Sequence, residues 1–390
     1  MTQVAPGVVT RARTAVAVVF VANGVTFASI FARMPALRDA FALSPAQLGL
    51  LLLCLSGGAV VGLPLSGVVV HRIGPARAVG TAMAVSCSGM VALAVALLAG
   101  GIAWAGAAMF LIGLGTGVWD VAMNVEGAAV EQHLGRSFMP RLHAGFSIGA
   151  VGGAAVAAAC AALGVPVAAQ LVGVAVVVPA VVLTMVRSFL PAEPEPEQAR
   201  SGGVLAAWRE PRTVLVGLLV LAFAFTEGSA YDWIAVALVD GHGADQAVGA
   251  VGYGVFVAAM TAARLWGGAL LTRYGRVTVL RGSAALAVAG LLVVVLAGGI
   301  GWALAGALLW GAGAALGFPV GMSAAADDPG RAAPRVSVVS SIGYTAFLAG
   351  PPLIGLLAER DGVLRGLLVV LVALVVALLT AGATRPPRRV

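Results

Sequence analysis

Gly67-Val-Val-Val-His71-Arg72-Ile73-Gly74-Pro75-Ala76-Arg77 returns 201 residues later as Gly268-Ala-Leu-Leu-Thr272-Arg273-Tyr274-Gly275-Arg276. The shared pattern is Gly-x-x-x-x-Arg-x-Gly, and each copy closes a long apolar run. Glycine at a helix end permits close helix packing, and glycine after the arginine suits a tight turn. Arginine there meets the negative end of the helix dipole and the membrane interface. One copy is what any short loop between two spans looks like. Two copies at one fixed offset point to a duplicated half.

Composition sets the solvent. Of 390 residues, 61% are hydrophobic and 10% charged, with mean hydropathy +1.03. A soluble globular protein carries about 25% charged residues. A soluble enzyme, a disordered chain and a nucleic-acid module are thereby excluded. The net charge of +7 comes entirely from arginine, with no lysine, and forms no basic helix face. Cys54, Cys87 and Cys160 fall in apolar runs without paired or metal-ligand spacing, so neither a disulfide framework nor a zinc site is expected. The first apolar run follows Arg11 and Arg13 and is long enough to remain as a span rather than be cleaved.

Twelve apolar segments follow, at about 14–32, 47–70, 78–99, 102–124, 141–162, 166–187, 213–239, 246–270, 278–298, 301–323, 336–357 and 363–382. Each is long enough to cross about 30 Å of hydrocarbon as a helix. A β-barrel would need alternating runs of about 10 residues. The longest polar stretch, 188–212, is rich in Pro and Glu and separates an N-terminal bundle (1–187) from a C-terminal bundle (213–390). A short surface helix is expected near 203–210. With both termini in the cytoplasm, eighteen arginines fall inside, Arg136, Arg200, Arg388 and Arg389 among them. Four (Arg33, Arg38, Arg360, Arg365) fall outside, and Arg264 lies within segment 8. The positive-inside rule therefore predicts cytoplasmic termini.

Twelve spans and a repeated loop resemble the major facilitator superfamily, whose loop signature reads roughly Gly-x-x-x-Asp-Arg-x-Gly-Arg-Arg. The resemblance implies an all-α membrane protein: twelve transmembrane helices in two pseudo-symmetric six-helix bundles. It also implies a cytoplasmic gate motif at Gly67, Arg72, Gly74, Arg77, Gly268, Arg273, Gly275 and Arg276. The signature's Asp is His71 in one copy and Thr272 in the other, so the fixed anion of the family's inter-half lock is missing. Segment 4, with Trp119-Asp120-Val-Ala-Met-Asn124, and segment 5, with His143-x-x-Phe146-Ser147-x-Gly149, resemble the fucose-permease-like branch of bacterial inner-membrane transporters. No proline completes an antiporter signature in segment 5, which weakens a drug:proton antiport reading.

Polar groups inside spans are costly and usually face a cavity. Glu227 leads as a proton carrier. It lies about 20 Å along segment 7 and shares a face with Tyr231. A desolvated carboxylate can be neutral in one state and ionised in another. Gly228 suggests a broken helix beside it. Asp120 and Asn124, four apart, either close a hydrogen-bond cluster with Arg141, His143 or Arg264, or handle substrate or protons. His143 and Ser147 offer a relay. Arg264 is read as paired to a carboxylate of segment 10 or 4. Substrate-cavity positions are Asn23, Phe27, Asn124, Ser147, Tyr231, Trp233 and Tyr344, with Trp233 alternatively a belt or gate residue. Gly350-Pro351-Pro352 reads as a kink, and Glu126 as interfacial.

The expected function is secondary active transport of a small polar organic solute, sugar-like or a related metabolite, by alternating access and with protons. An exporter of drugs or amphipathic secondary metabolites is the alternative, and a non-transporting sensor the third reading. No catalytic constellation and no Walker A sequence stand out, so neither an enzyme nor an ATP-driven pump is expected. The expected partners are the solute, protons and the lipid bilayer, without cofactor, metal or nucleic acid. The expected state is a monomer in the inner membrane.

Overall fold

A computed structural model of the chain describes residues 5–135, 138–191, 204–328 and 331–385. Most of the polar connector, at 192–203, lies outside these residues, as do Arg136, Arg200, Arg388 and Arg389 of the orientation count. The described residues are helical with no strand.

The order is α1 (Pro6–Phe31), α2 (Met34–Ala40), α3 (Pro45–Ala99), α4 (Ile102–Leu134), α5 (Met139–Ala162) and α6 (Val167–Met185). After the connector come α7 (Val204–Ala207), α8 (Pro211–Val236), α9 (Gln246–Tyr274), α10 (Arg276–Leu296), α11 (Ile300–Ala314), α12 (Gly317–Ala325), α13 (Ala332–Asp361), α14 (Val363–Gly366) and α15 (Val369–Thr380). Eleven stretches among the described residues are long and apolar enough to cross a membrane. One of them, α3, has 55 residues, more than twice what a single crossing needs, and so accounts for two spans. The count is then twelve.

The bend in α3 falls at Gly74, with φ 79° and ψ 161°. Its repeat partner Gly275 has φ 76° and ψ 160°. Both occupy a backbone region essentially reserved for glycine, so the duplicated motif is also a duplicated turn. Proline opens several helices, at Pro6, Pro45 and Pro211, where a missing N–H costs nothing. Ser44 and Gln47 form a capping box at the start of α3.

The chain falls into two compact units, Met1–Pro196 with Asp245–Gly254, and Glu197–Ala244 with Val255–Val390. In the first, glycines bring helices into backbone contact. A Cβ on Gly24 of α1 would sit 2.0 Å from the Phe146 carbonyl oxygen of α5. One on Gly113 of α4 would sit 1.9 Å from that of Leu55 on α3. In lipid, where apolar burial cannot drive helices together, such close packing does. The second unit uses Gly290 and Gly306 to seat α10 on α11 in the same way.

Four local expectations change. A Cβ placed on Gly67 or Gly268 would meet nothing within 4 Å, so close packing is not the role of these glycines. Segment 7 does not break at Gly228, since α8 runs unbroken from Pro211 to Val236 and the glycine instead makes room for the Phe347 ring. Pro351 and Pro352 sit within a continuous α13. The interrupted helix is segment 10, which parts between α11 and α12 at Ala315 and Leu316.

Candidate functional site

Why segment 10 parts there follows from Pro319. In an α-helix the Ala315 carbonyl would accept from the N–H four residues on, and proline has none. The freed carbonyl oxygen accepts from Arg264 Nε of α9 at 3.1 Å. The guanidinium thus anchored points its Nη2 at Glu227 of α8, 3.0 Å from Oε1 and 3.0 Å from Oε2. Tyr231, one turn along α8, donates its hydroxyl to Glu227 Oε1 at 3.1 Å. Met260 Sδ lies 3.7 Å from the same hydroxyl. Behind Tyr231 an edge-on ladder runs through Phe256 (5.7 Å) to Trp310 (5.9 Å), and both of these rings are fully buried.

Arg264 therefore pairs with segment 7, not with segment 10 or segment 4; segment 10 contributes a backbone oxygen instead. The pair is asymmetric. Glu227 is 14% exposed in its side chain and Arg264 35%. One nitrogen serves both carboxylate oxygens, so Nη1 of Arg264 has no hydrogen bond among the described residues. Pro319 was the sequence signal for this arrangement, because it marks which carbonyl must look elsewhere for a donor.

The first unit holds its polar groups differently. Asn124 donates Nδ2 to the Asp120 backbone oxygen at 2.8 Å and stands 3.5 Å from Oδ1. Among the described residues Asp120 forms no ion pair, so the arginine-closed cluster is not what holds it. Asn23 is 1% exposed, with the Met123 sulfur near its amide, at 3.5 Å. Phe27 stacks with Phe31 and Phe146. Ser147 donates to the backbone oxygen of His143, not to the imidazole, whose ring instead meets Phe20 edge-on at 5.5 Å. The hydroxyl satisfies itself on its own helix, so it forms no side-chain relay with the imidazole. Glu126 is not interfacial. It is 1% exposed and accepts the Leu190 N–H at 2.8 Å.

Trp233 in the second unit is fully buried, so it is neither a belt residue nor open to a cavity. The preference of tryptophan for interfaces yields here to packing inside the bundle. Tyr344 is half-buried between Phe318 and Phe347. Glu227, Tyr231 and Arg264 are the predicted residues that come together. Tyr344 packs with its own two rings instead, and Trp233 with the core of the bundle.

Residues 14–338 match the sequence profile of the Major Facilitator Superfamily. The chain belongs to the major facilitator superfamily. One relative, the uncharacterized transporter y4wD of Sinorhizobium fredii, is 35% identical over 345 residues, 88% of this chain and 90% of its own. Among solved structures, the nucleoside transporter NupG superposes with a TM-score of 0.79 at 13% identity, covering 96% of this chain and 98% of that one. The E. coli fucose:proton symporter FucP gives 0.65 at 16%, covering 96% and 98%. At those identities the structural likeness shows the fold. With the membership it makes this chain a multi-pass transporter of the superfamily's type.

The two copies of the superfamily's loop motif are not equally tied down. In the second, Arg276 donates Nη1 to Asp327 at 2.8 Å, and Arg212 at the start of α8 donates to the other oxygen of Asp327 at 2.8 Å. Arg212 also holds the carbonyls of Ala383 and Arg385. Beside them Glu210 accepts from Arg335, Arg331 and Thr213. The Arg335 bond, foremost, holds the Glu210 carboxyl below the usual glutamate range. Arg273 lies over the Tyr274 ring. In the first copy Arg72 and Arg77 are exposed and make no ion pair among the described residues. Sequence reading missed Asp327 and Glu210, which lie far along the chain from the loops they anchor.

Proposed function

We propose that this chain is a proton-coupled secondary transporter of a small polar organic solute. It works by alternating access in the inner membrane, as a monomer with both termini cytoplasmic. The observation that carries this reading is the Glu227–Arg264 pair with its Tyr231 bond, sheltered inside a helix bundle. Charges inside spans are rare and mark solute or proton paths. A carboxylate held by one guanidinium nitrogen and one phenol has two states of comparable standing: ionised and paired, or protonated and released.

The likeness to a fucose:proton symporter supports proton coupling and a polar solute. Eighteen arginines on one side of the spans support the orientation. Asp120 with Asn124 is the second polar position that a solute or proton meets.

A thermal-stability screen of the purified protein against sugars, metabolites and antibiotics identifies the solute. Uptake of that solute into proteoliposomes under an inward proton gradient then tests the reading. Glu227→Gln is expected to lose gradient-driven accumulation and to keep exchange. Accumulation unchanged in that variant refutes the assignment of Glu227.

A further inference from the structure

We infer that the solute carries one carboxylate, which Arg264 binds when Glu227 takes up its proton. This rests on the proton-coupling reading above and adds the chemical class of the solute.

Charge balance leads to it. In the empty site Glu227 and Arg264 sum to zero. Protonating Glu227 alone leaves one uncompensated cation inside the bundle, and an unpaired interior charge is what such structures avoid. A neutral solute does nothing for that cation. A monovalent anion restores zero, so loaded and empty sites carry the same charge. A phosphate monoester carries about −1.5 to −2 near neutral pH and overshoots the balance, whereas a carboxylate matches it.

Geometry agrees. The more open member of the pair is the cation, and its Nη1 has no bond among the described residues. Nε stays fixed on Ala315, so the fork keeps its aim when Glu227 lets go. A planar carboxylate can then lie across Nη1 and Nη2 in the two-bond geometry that Glu227 itself does not achieve. In the exchange, the Glu227 carboxylate gains the proton and the Nη2 bond passes to the solute's carboxylate. One proton and one anion move together, without net charge.

No other ionisable group competes at this point. Tyr231 is on the same face of α8, and Asp232 is on another. Of the helices against α8, α11, α12 and α15 carry no titratable side chain. The middle of α13 carries Tyr344 alone, with Arg335, Glu359, Arg360 and Asp361 in its end turns. On α9 the groups are Tyr253, Arg264 and, at its far end, Arg273 and Tyr274.

The test uses acetate as the probe, because it is small enough to reach Arg264 whatever the rest of the solute looks like. Acetamide is its neutral counterpart, and chloride matches the ionic strength. The E227Q variant is expected to have a lowered thermal midpoint that acetate restores and that acetamide and chloride do not. In E227Q/R264Q acetate is expected to do nothing. Acetate acting no better than acetamide on E227Q, or equally on the double variant, overturns the assignment of Arg264.

Should E227Q not fold, the wild type serves. Its apparent acetate affinity is expected to rise about tenfold per pH unit on acidification from about pH 7.5, as the protonated fraction grows. No acetate-specific stabilisation at any pH refutes the anion site, while gradient-driven uptake of a neutral solute would still uphold proton coupling. Acetate stabilisation that ignores pH leaves Arg264 an anion site and removes Glu227 as its proton partner.

Discussion

Arg264 donates its Nε to the Ala315 carbonyl at 3.1 Å, an oxygen that Pro319 leaves without its helical donor. A proline in one helix thus aims a charge on another, which in turn sets the Glu227 contact. Replacing Pro319 with alanine restores an N–H to compete for that oxygen. The variant is expected to keep or raise its thermal midpoint, since proline inside a helix costs about 3 kcal/mol. Its transport is expected to fall. Full transport by P319A would show that the anchor does not matter.

Removing one member of the Glu227–Arg264 pair strands the other. Fully buried pairs cost about 3–5 kcal/mol on such a loss. Arg264 is 35% exposed, so about 1–3 kcal/mol is expected for R264Q. The double variant E227Q/R264Q should be less destabilised than the two single losses summed. Denaturation of the four proteins gives the coupling, and strict additivity would mean that the pair contributes nothing.

Gly74 and Gly67 belong to one motif but do different things. Gly74, at φ 79°, is expected to cost about 1–3 kcal/mol as alanine. Gly67, with open space around it, should accept alanine with little change, helped by helix propensity. Gly275→Ala should mirror Gly74→Ala. Equal thermal shifts for G67A and G74A would contradict the assignment of the turn to the second glycine.

Glu210 is held below its ordinary range, first by Arg335. A depressed carboxyl contributes stability above its unfolded value, near about 4.3, and loses it as pH falls through the lower folded value. The thermal midpoint should therefore drop on acidification below about pH 4.5. In R335Q that acid-dependent drop should shrink, because less is left to lose. An identical acid limb in the variant would remove Glu210 as its source.

Much of the fold was legible because a bilayer demands long apolar runs, and these can be counted residue by residue. The duplicated turn was legible too, since Gly74 and Gly275 share a spacing and, in the structure, a backbone conformation. Less was legible where one residue acts on a distant one. Sequence named Glu227, Tyr231 and Arg264, but joined Arg264 to the wrong segments, because a helix face does not reveal which neighbour it meets. Trp233 and Glu126 were placed near water by residue type, and both are buried. Asn23 likewise is closed off against a methionine sulfur. Asp327, the anchor of Arg212 and Arg276, stood out only once the helix ends were assembled.

That Glu227 carries the coupled proton is tested most directly by the pH inside sealed proteoliposomes, followed with a trapped dye after addition of the identified solute. The wild type should acidify the lumen as solute enters. E227Q should leave the lumenal pH flat while still exchanging labelled solute. Acidification by E227Q at the wild-type rate would place the proton on another group.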